Sequence, residues 1–181
     1  YAPSPAELPS REDVIRTAFI YQPAAIELHG EGVILDTENF KNARQPYAQG
    51  FMPVGGEAGD AFVVIANHLK SKGDSSNSAS GDNTDTGDGA GAYNGDRTRQ
   101  ANDLVGFAAE MQTEFDTDKL YLVGDFNSYA AEDPIRVLAE AGYVDQGAKS
   151  GKHSYSFQRA VGSLDYIFAS PAADATVADS D

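Results

Sequence analysis

The apolar run AFVVIA at residues 61–66 constrains the fold more than any other stretch of this chain. A continuous apolar run of this length reads as a strand covered on both faces, here extended by Asn67, His68 and Leu69. A second run, Leu120 to Val123 in KLYLVGDFNSY, also favours a pleated, covered setting. Between the two, RTRQANDLVGFAAEMQTEF (97–115) puts Leu104, Phe107, Ala108 and Met111 at helical spacing, with Asp96 as the N-cap. AEDPIRVLAEAGY (131–143) predicts a shorter helix, with Asp133 as N-cap, Pro134 at its first position and Gly142 as its stop. Further strands are expected in VIRTAFIYQP (14–23), QPYAQGFMPV (45–54), SYSF (154–157), SLDYIFAS (163–170) and, weakly, TVADS (176–180). Strands separated by helices, closed by hairpin-like strands, define an α/β layered fold.

Both long runs break into polar residues at their ends. Asp125 and Asn127 lie two apart and would share a face if the strand continued. The pair fits turn chemistry after a strand, and it equally fits a metal or phosphate site at a strand end. Asn67 and His68 follow FVVIA, Asp165 lies within SLDYIF, and Asp181 ends the chain. Each has an ordinary reading alone: a core histidine, a strand acid paired with Arg97 or Arg159, a frayed terminus. Together, in this order, they suggest one site.

Composition narrows the partners. With 28 acids against 13 bases the formal charge is −15, which repels nucleic acid and anionic membranes unless cations intervene. The same carboxylates supply the oxygen ligands that Mg²⁺, Mn²⁺ or Ca²⁺ take, so an enzyme meeting a phosphodiester through a bound divalent cation fits this charge. The absence of cysteine excludes disulfides and thiolate metal sites, and leaves the compartment open. No apolar stretch approaches a membrane span, and YAPSPAELPS lacks signal-peptide regions. The tract at 71–96, rich in Gly, Ser, Asn and Asp, offers too little apolar surface to offset ordering and is expected to be mobile. Its Asp spacing does not match a calcium-binding loop. The stretch ELHGEG around His29 reads as a polar turn, and His29 and His153 as surface histidines.

The succession NHLKSKG, NGDRTRQANDL, GDFNS, LDYIFAS and a final SD resembles the endonuclease/exonuclease/phosphatase superfamily, the group of pancreatic deoxyribonuclease. It looks most like the large extracellular nucleases of bacteria, from roughly DVIRTAFIYQP to the last residue. GDFN and NHLKSKG are the specific parts. The resemblance implies part of a four-layer α/β sandwich, with a mixed, mostly antiparallel sheet and flanking helices. It implies that Asp125 and Asn127 orient the attacking water and hold the scissile phosphate or metal. His68 would donate to a phosphate oxygen as an imidazolium, and Asp165 would orient a second histidine. Asn67, Arg44 (in Arg44 to Pro46) and Arg97 would bind substrate, and Asp181 would border the metal beside Asp125. By the same resemblance the protein is a secreted, Mg²⁺-dependent nuclease cutting DNA or RNA.

Two departures carry their own expectations. The family's N-terminal half holds an Asn and a metal-binding Glu for which Glu7 and Glu12 are no substitutes, and its ending places a His after Ser-Asp, where this chain stops at Ser180 and Asp181. The 181 residues therefore read as the C-terminal portion of one domain, inactive alone and inclined to self-associate without the other half. Inositol-phosphate phosphatases and sphingomyelinases share this fold and are the alternatives within it; a non-catalytic binding module is the alternative outside it.

Overall fold

The computed structural model describes residues 1–10, 15–151, 153–157 and 160–178. In chain order the regular elements are β1 (Ile26–Ile34), β2 (Arg44–Pro53), β3 (Phe62–His68), α1 (Asn94–Glu114), β4 (Leu120–Asp125), α2 (Asp133–Glu140), β5 (Val144–Asp145), α3 (Gln146–Ser150), β6 (Tyr155–Phe157), β7 (Ala160–Gly162), β8 (Asp165–Ala169) and α4 (Pro171–Asp174). Six strands form one sheet in the order β1-β2-β3-β4-β8-β5, and β6 pairs with β7 alone. The pairing of β3 with β4 is parallel and the other pairings are antiparallel, so the sheet is mixed and mostly antiparallel as expected. Parallel neighbours need a crossover, and α1 with the segment before it provides one.

That crossover places the core. Leu104, Phe107, Ala108 and Met111 of α1 join Val63, Ile65, Leu120 and Leu122 in one buried cluster. Burying each Val, Leu, Ile, Phe or Met side chain among these contributes roughly 1.5–3 kcal/mol. Strand β3 is nevertheless covered on one side only: Val63, Ile65 and Asn67 are buried, whereas Phe62, Val64, Ala66 and His68 are half-buried. The expectation of cover on both faces fails because the helix layer lies on one face. Over β2 the other face is roofed by the N-terminal segment, where Phe19 sits 5.0 Å from Tyr47 and 5.5 Å from Phe51, centroid to centroid.

This roof explains a misread strand. Residues 15–23 pair with no strand; their aromatic side chains lie across β2, with Thr17 donating to the Gln45 carbonyl, while Val14 falls outside the described residues. Conversely ELHGEG, read as a turn, lies within β1. An edge strand tolerates its polar residues, and a register shift between His29 and Val33 absorbs Gly30, whose φ is +73°. Of TVADS the described part is not a strand: Thr176 closes the turn after α4, Val177 and Ala178 have no regular structure, and 179–180 lie outside the described residues.

Helix starts shift by a residue or more. α1 begins at Asn94, so Asp96 sits in its first turn, accepting from Arg99 and Asn42, rather than capping it. Asp133 is the first residue of α2, with Glu132 before it, and Gly142 at φ +92° follows its end. Among the described residues no helix is long and apolar enough to cross a membrane.

Candidate active site

Register brings the predicted residues together. Arg44 of β2 pairs with His68 of β3, His68 with Asp125 of β4, and Asp125 with Asp165 of β8. Directly paired residues point to the same side of a sheet, so these four side chains form one row across four adjacent strands, on the face away from α1. His68 Nε2 accepts from Arg44 Nη1 at 3.4 Å and lies 3.7 Å from Asp125 Oδ2. His68 and Asp125 are each about one-third exposed, open enough for a substrate to reach.

The turn after β4 completes the row. Gly124 has φ +128°, and a Cβ there would lie 2.1 Å from the Asn67 carbonyl oxygen, so only glycine lets β3 and β4 approach at this point. The Asp125 carboxylate then accepts from the Asn127 amide at 2.8 Å, in an Asx turn that holds Asn127 at φ +47°. The Asn127 side chain donates to the Leu69 carbonyl at 3.0 Å, tying the turn to the end of β3. Phe126 is fully buried against Tyr166 and Phe168 and anchors the turn from below. Turn chemistry and a strand-end site are therefore one arrangement, since the same Asp both shapes the turn and faces the open sheet.

Burial sets the charges. It raises the Asp125 carboxyl above the usual range; Asp165 opposite adds to the rise, while the Asn127 amide, His68 and Arg44 oppose it. Burial lowers His68 below the ordinary imidazole value, and the Arg44 guanidinium lowers it further against the two carboxylates. The imidazolium expected of His68 is thus disfavoured at neutral pH, and the fixed positive charge of the row is Arg44.

Two sequence-predicted residues, Asn67 and Arg97, do not join the row. Asn67 is out of phase with His68 and buried on the helix side, donating to the Ile65 and Val123 carbonyls at 2.8 and 3.3 Å. Arg97, expected at the substrate, is fully buried; its guanidinium donates to the Lys70, Ala90 and Ala92 carbonyls and to Ser128 Oγ. It binds the crossover segment to the loop after β4, which is a structural task. Asp181 lies outside the described residues. Sequence reasoning missed Lys72, which pairs with Glu132, donates to the Gly89 and Ala90 carbonyls, and sits 4.9 Å over the Tyr129 ring. Partners 60 residues apart leave no local pattern, although NHLKSKG does contain this lysine.

Among the described residues no three His, Asp or Glu side chains are grouped closely enough to hold a metal ion. Asp125 and Asp165, paired across β4 and β8, supply an all-oxygen donor set that suits a hard cation completing its shell with water and phosphate. A divalent ion there would relieve the mutual repulsion of the two carboxylates and supply Lewis-acid chemistry at the phosphate.

A mixed sheet with α1 packed on one face and a His, an Arg and two Asp aligned on the other has the architecture of the deoxyribonuclease-like α/β fold class. Residues 21–181 match the model of the Endonuclease/Exonuclease/phosphatase family, and the chain belongs to that family. Three solved structures share the fold. The human Nocturnin catalytic domain with bound sulfate anion is 20% identical, with a TM-score of 0.55 over 81% of this chain and 49% of that one. The mannosyl-6-phosphatase of Bacteroides thetaiotaomicron VPI-5482 is 14% identical, at 0.57 over 83% and 55%. A humanized D. rerio TDP2 carrying 14 mutations is 14% identical, at 0.53 over 82% and 53%. The chain spans about half the length of these structures. Comparison with curated protein sequences yields no match.

Proposed function

We propose that this chain carries the hydrolytic face of a secreted, divalent-cation-dependent phosphodiesterase that cuts DNA or RNA by attack of water on phosphorus. The observation that carries this reading is the cross-strand row of Arg44, His68, Asp125 and Asp165. In the proposed mechanism Asp125 accepts a hydrogen bond from the attacking water and orients it, a role helped by a carboxyl that burial has made more basic. Arg44 pairs with the phosphate oxygens and stabilises the charge that grows on them, while His68, neutral, hydrogen-bonds a phosphate oxygen from beside it. Asn127 holds the turn on which Asp125 depends. Asp165, expected to orient a second histidine, stands opposite Asp125 and within electrostatic reach of His68, where it would help Asp125 to hold a divalent cation that supplies Lewis-acid chemistry at the phosphate. Mg²⁺ is the ion we favour, since it binds through one or two carboxylates plus substrate phosphate.

The test is hydrolysis by the protein containing this chain, with plasmid DNA, single-stranded RNA, a chromogenic diester and a sugar monophosphate as parallel substrates. Diester cleavage that needs Mg²⁺ and Asp125 supports the reading. Exclusive hydrolysis of the monoester would replace it with a phosphatase, and undiminished cleavage in excess chelator would remove the metal.

A further inference from the structure

We propose that the cleft beside Asn127, between the glycine-rich segment 85–91 and the rings of Tyr129 and Tyr155, is a subsite for the nucleobase next to the scissile phosphate, with Tyr155 as its stacking face. The proposal rests on the phosphodiester reading above and adds the base to the substrate. The cleft has a volume of about 710 Å³, within the range of small-molecule sites, and Asn127 lines it. A nucleotide with its phosphate at Arg44 and Asp125 would have this cleft as its neighbour.

The wall is held more firmly than its composition suggests. A run of Gly, Asp and Ser has no apolar core of its own, yet two cations clamp it. Lys72, only 21% exposed, reaches the Gly89 and Ala90 carbonyls at 3.2 and 3.0 Å while paired with Glu132. Fully buried Arg97 reaches the Ala90 and Ala92 carbonyls, both at 2.8 Å. Gly87 and Gly89 take φ of +77° and +96°, and a Cβ on either would meet nothing within 4 Å, so open space lies beside the backbone there. Tyr129 carries the Lys72 ammonium 4.9 Å from its ring centre, and Tyr155 is 40% exposed. Aromatic faces accept any base because every base has a π-face.

Charge argues against a second phosphate here. Glu132 neutralises Lys72, and Asp85 stands in the wall, accepting from the Gly87 amide at 2.9 Å. A neutral, planar, hydrogen-bonding group fits such walls better than an anion.

Deoxyadenosine 5′-monophosphate and 2-deoxyribose 5-phosphate, titrated into the protein and followed by saturation-transfer NMR, distinguish a base from a sugar as the occupant. Stacking on one aromatic face is worth about 5- to 160-fold in affinity. We expect the nucleotide to bind tighter by a factor in that range, Tyr155→Ala to erase the difference and Tyr155→Trp to keep it. Equal affinity for the two ligands, or a difference that survives Tyr155→Ala, overturns the subsite. In parallel, the ratio of kcat/KM for a base-bearing diester to that for an abasic diester should collapse in Tyr155→Ala, and an unchanged ratio would count against the subsite. Base-dependent binding without any cleavage supports the subsite and removes the hydrolytic reading, so the two fail separately.

Discussion

Asp125 is a residue whose burial and charge pull in opposite directions. Its carboxylate is half-buried opposite Asp165, and burial raises its pKa above the ordinary carboxyl value, so the ionised form costs stability once the pH exceeds the folded pKa. As the pH falls through the folded pKa toward the ordinary value, that cost disappears. Asp125→Asn can still accept from the Asn127 amide and carries no charge. In chelator we expect it to be more stable than the parent chain at neutral pH, with the gap closing toward pH 4. Urea unfolding across that range measures it, and a gap independent of pH would disprove the electrostatic origin. His68 has the complementary sign: its pKa is lowered, so its contribution falls as the pH drops through the ordinary imidazole value, and His68→Gln should flatten stability there.

At the scale of elements, the glycine- and aspartate-rich crossover shows how a chain without a core is held in place. Asp74 accepts from the Ser78 and Ala79 amides at 3.0 and 2.8 Å and from the Tyr93 hydroxyl at 3.0 Å, which lowers its pKa to about 2. A lowered carboxyl stabilises above its ordinary value and loses that contribution as the pH falls from about 4 through 2. Hydrogen exchange at Ser78 and Ala79, corrected for intrinsic rates, should therefore accelerate across that window, and Asp74→Asn should remove the acceleration. The mobility we propose for 71–96 is confined to the span between such ties: the amides of Asp85, Thr86 and Asp88 should exchange within seconds at neutral pH, and slow exchange at all three would refute it. Arg97 is the central tie. Arg97→Met strands the Lys70, Ala90 and Ala92 carbonyls, and we expect a loss of about 3 kcal/mol or more by denaturant titration, against nearly nothing for an exposed arginine such as Arg136.

The same elements show how far the sequence could be read. β3, β4, β8 and α1 were legible because each is an uninterrupted apolar or 3.6-period pattern, and the parallel pairing of β3 with β4 then brought their polar ends together. β1 was not, because Gly30 and Gly32 break the alternation of an edge strand. Residues 15–23 misled because Phe19 and Tyr21 bury themselves on a sheet face instead of in a strand. Asn67 misled because proximity to His68 in sequence hid the alternation that sends the two to opposite faces. Arg97 was legible as important and illegible as buried, since its partners are backbone carbonyls that any sequence supplies.

For the whole molecule, the sheet face opposite α1 is the dominant feature. It carries the row of Arg44, His68, Asp125 and Asp165 at one end, and along its length Val64 and Val123 are half-buried and Ile167 is 52% exposed. An apolar strip of this kind favours association at high concentration, and a net charge of −15 opposes it. We expect light scattering of the 181-residue chain to show a mass that rises with concentration and salt. Ile167→Glu should suppress the rise, and a monomer at every concentration would show that the face needs no partner.

The most direct measurement is cleavage of a phosphodiester by the protein containing this chain, comparing the parent with Asp125→Asn and His68→Ala, each verified as folded by circular dichroism, in Mg²⁺ and in chelator. If the row is the hydrolytic centre, both variants lose at least about 100-fold in kcat/KM, and the parent loses its activity in chelator. Folded variants that cleave at the parent's rate would contradict it, and would place the chemistry somewhere other than this face of the sheet.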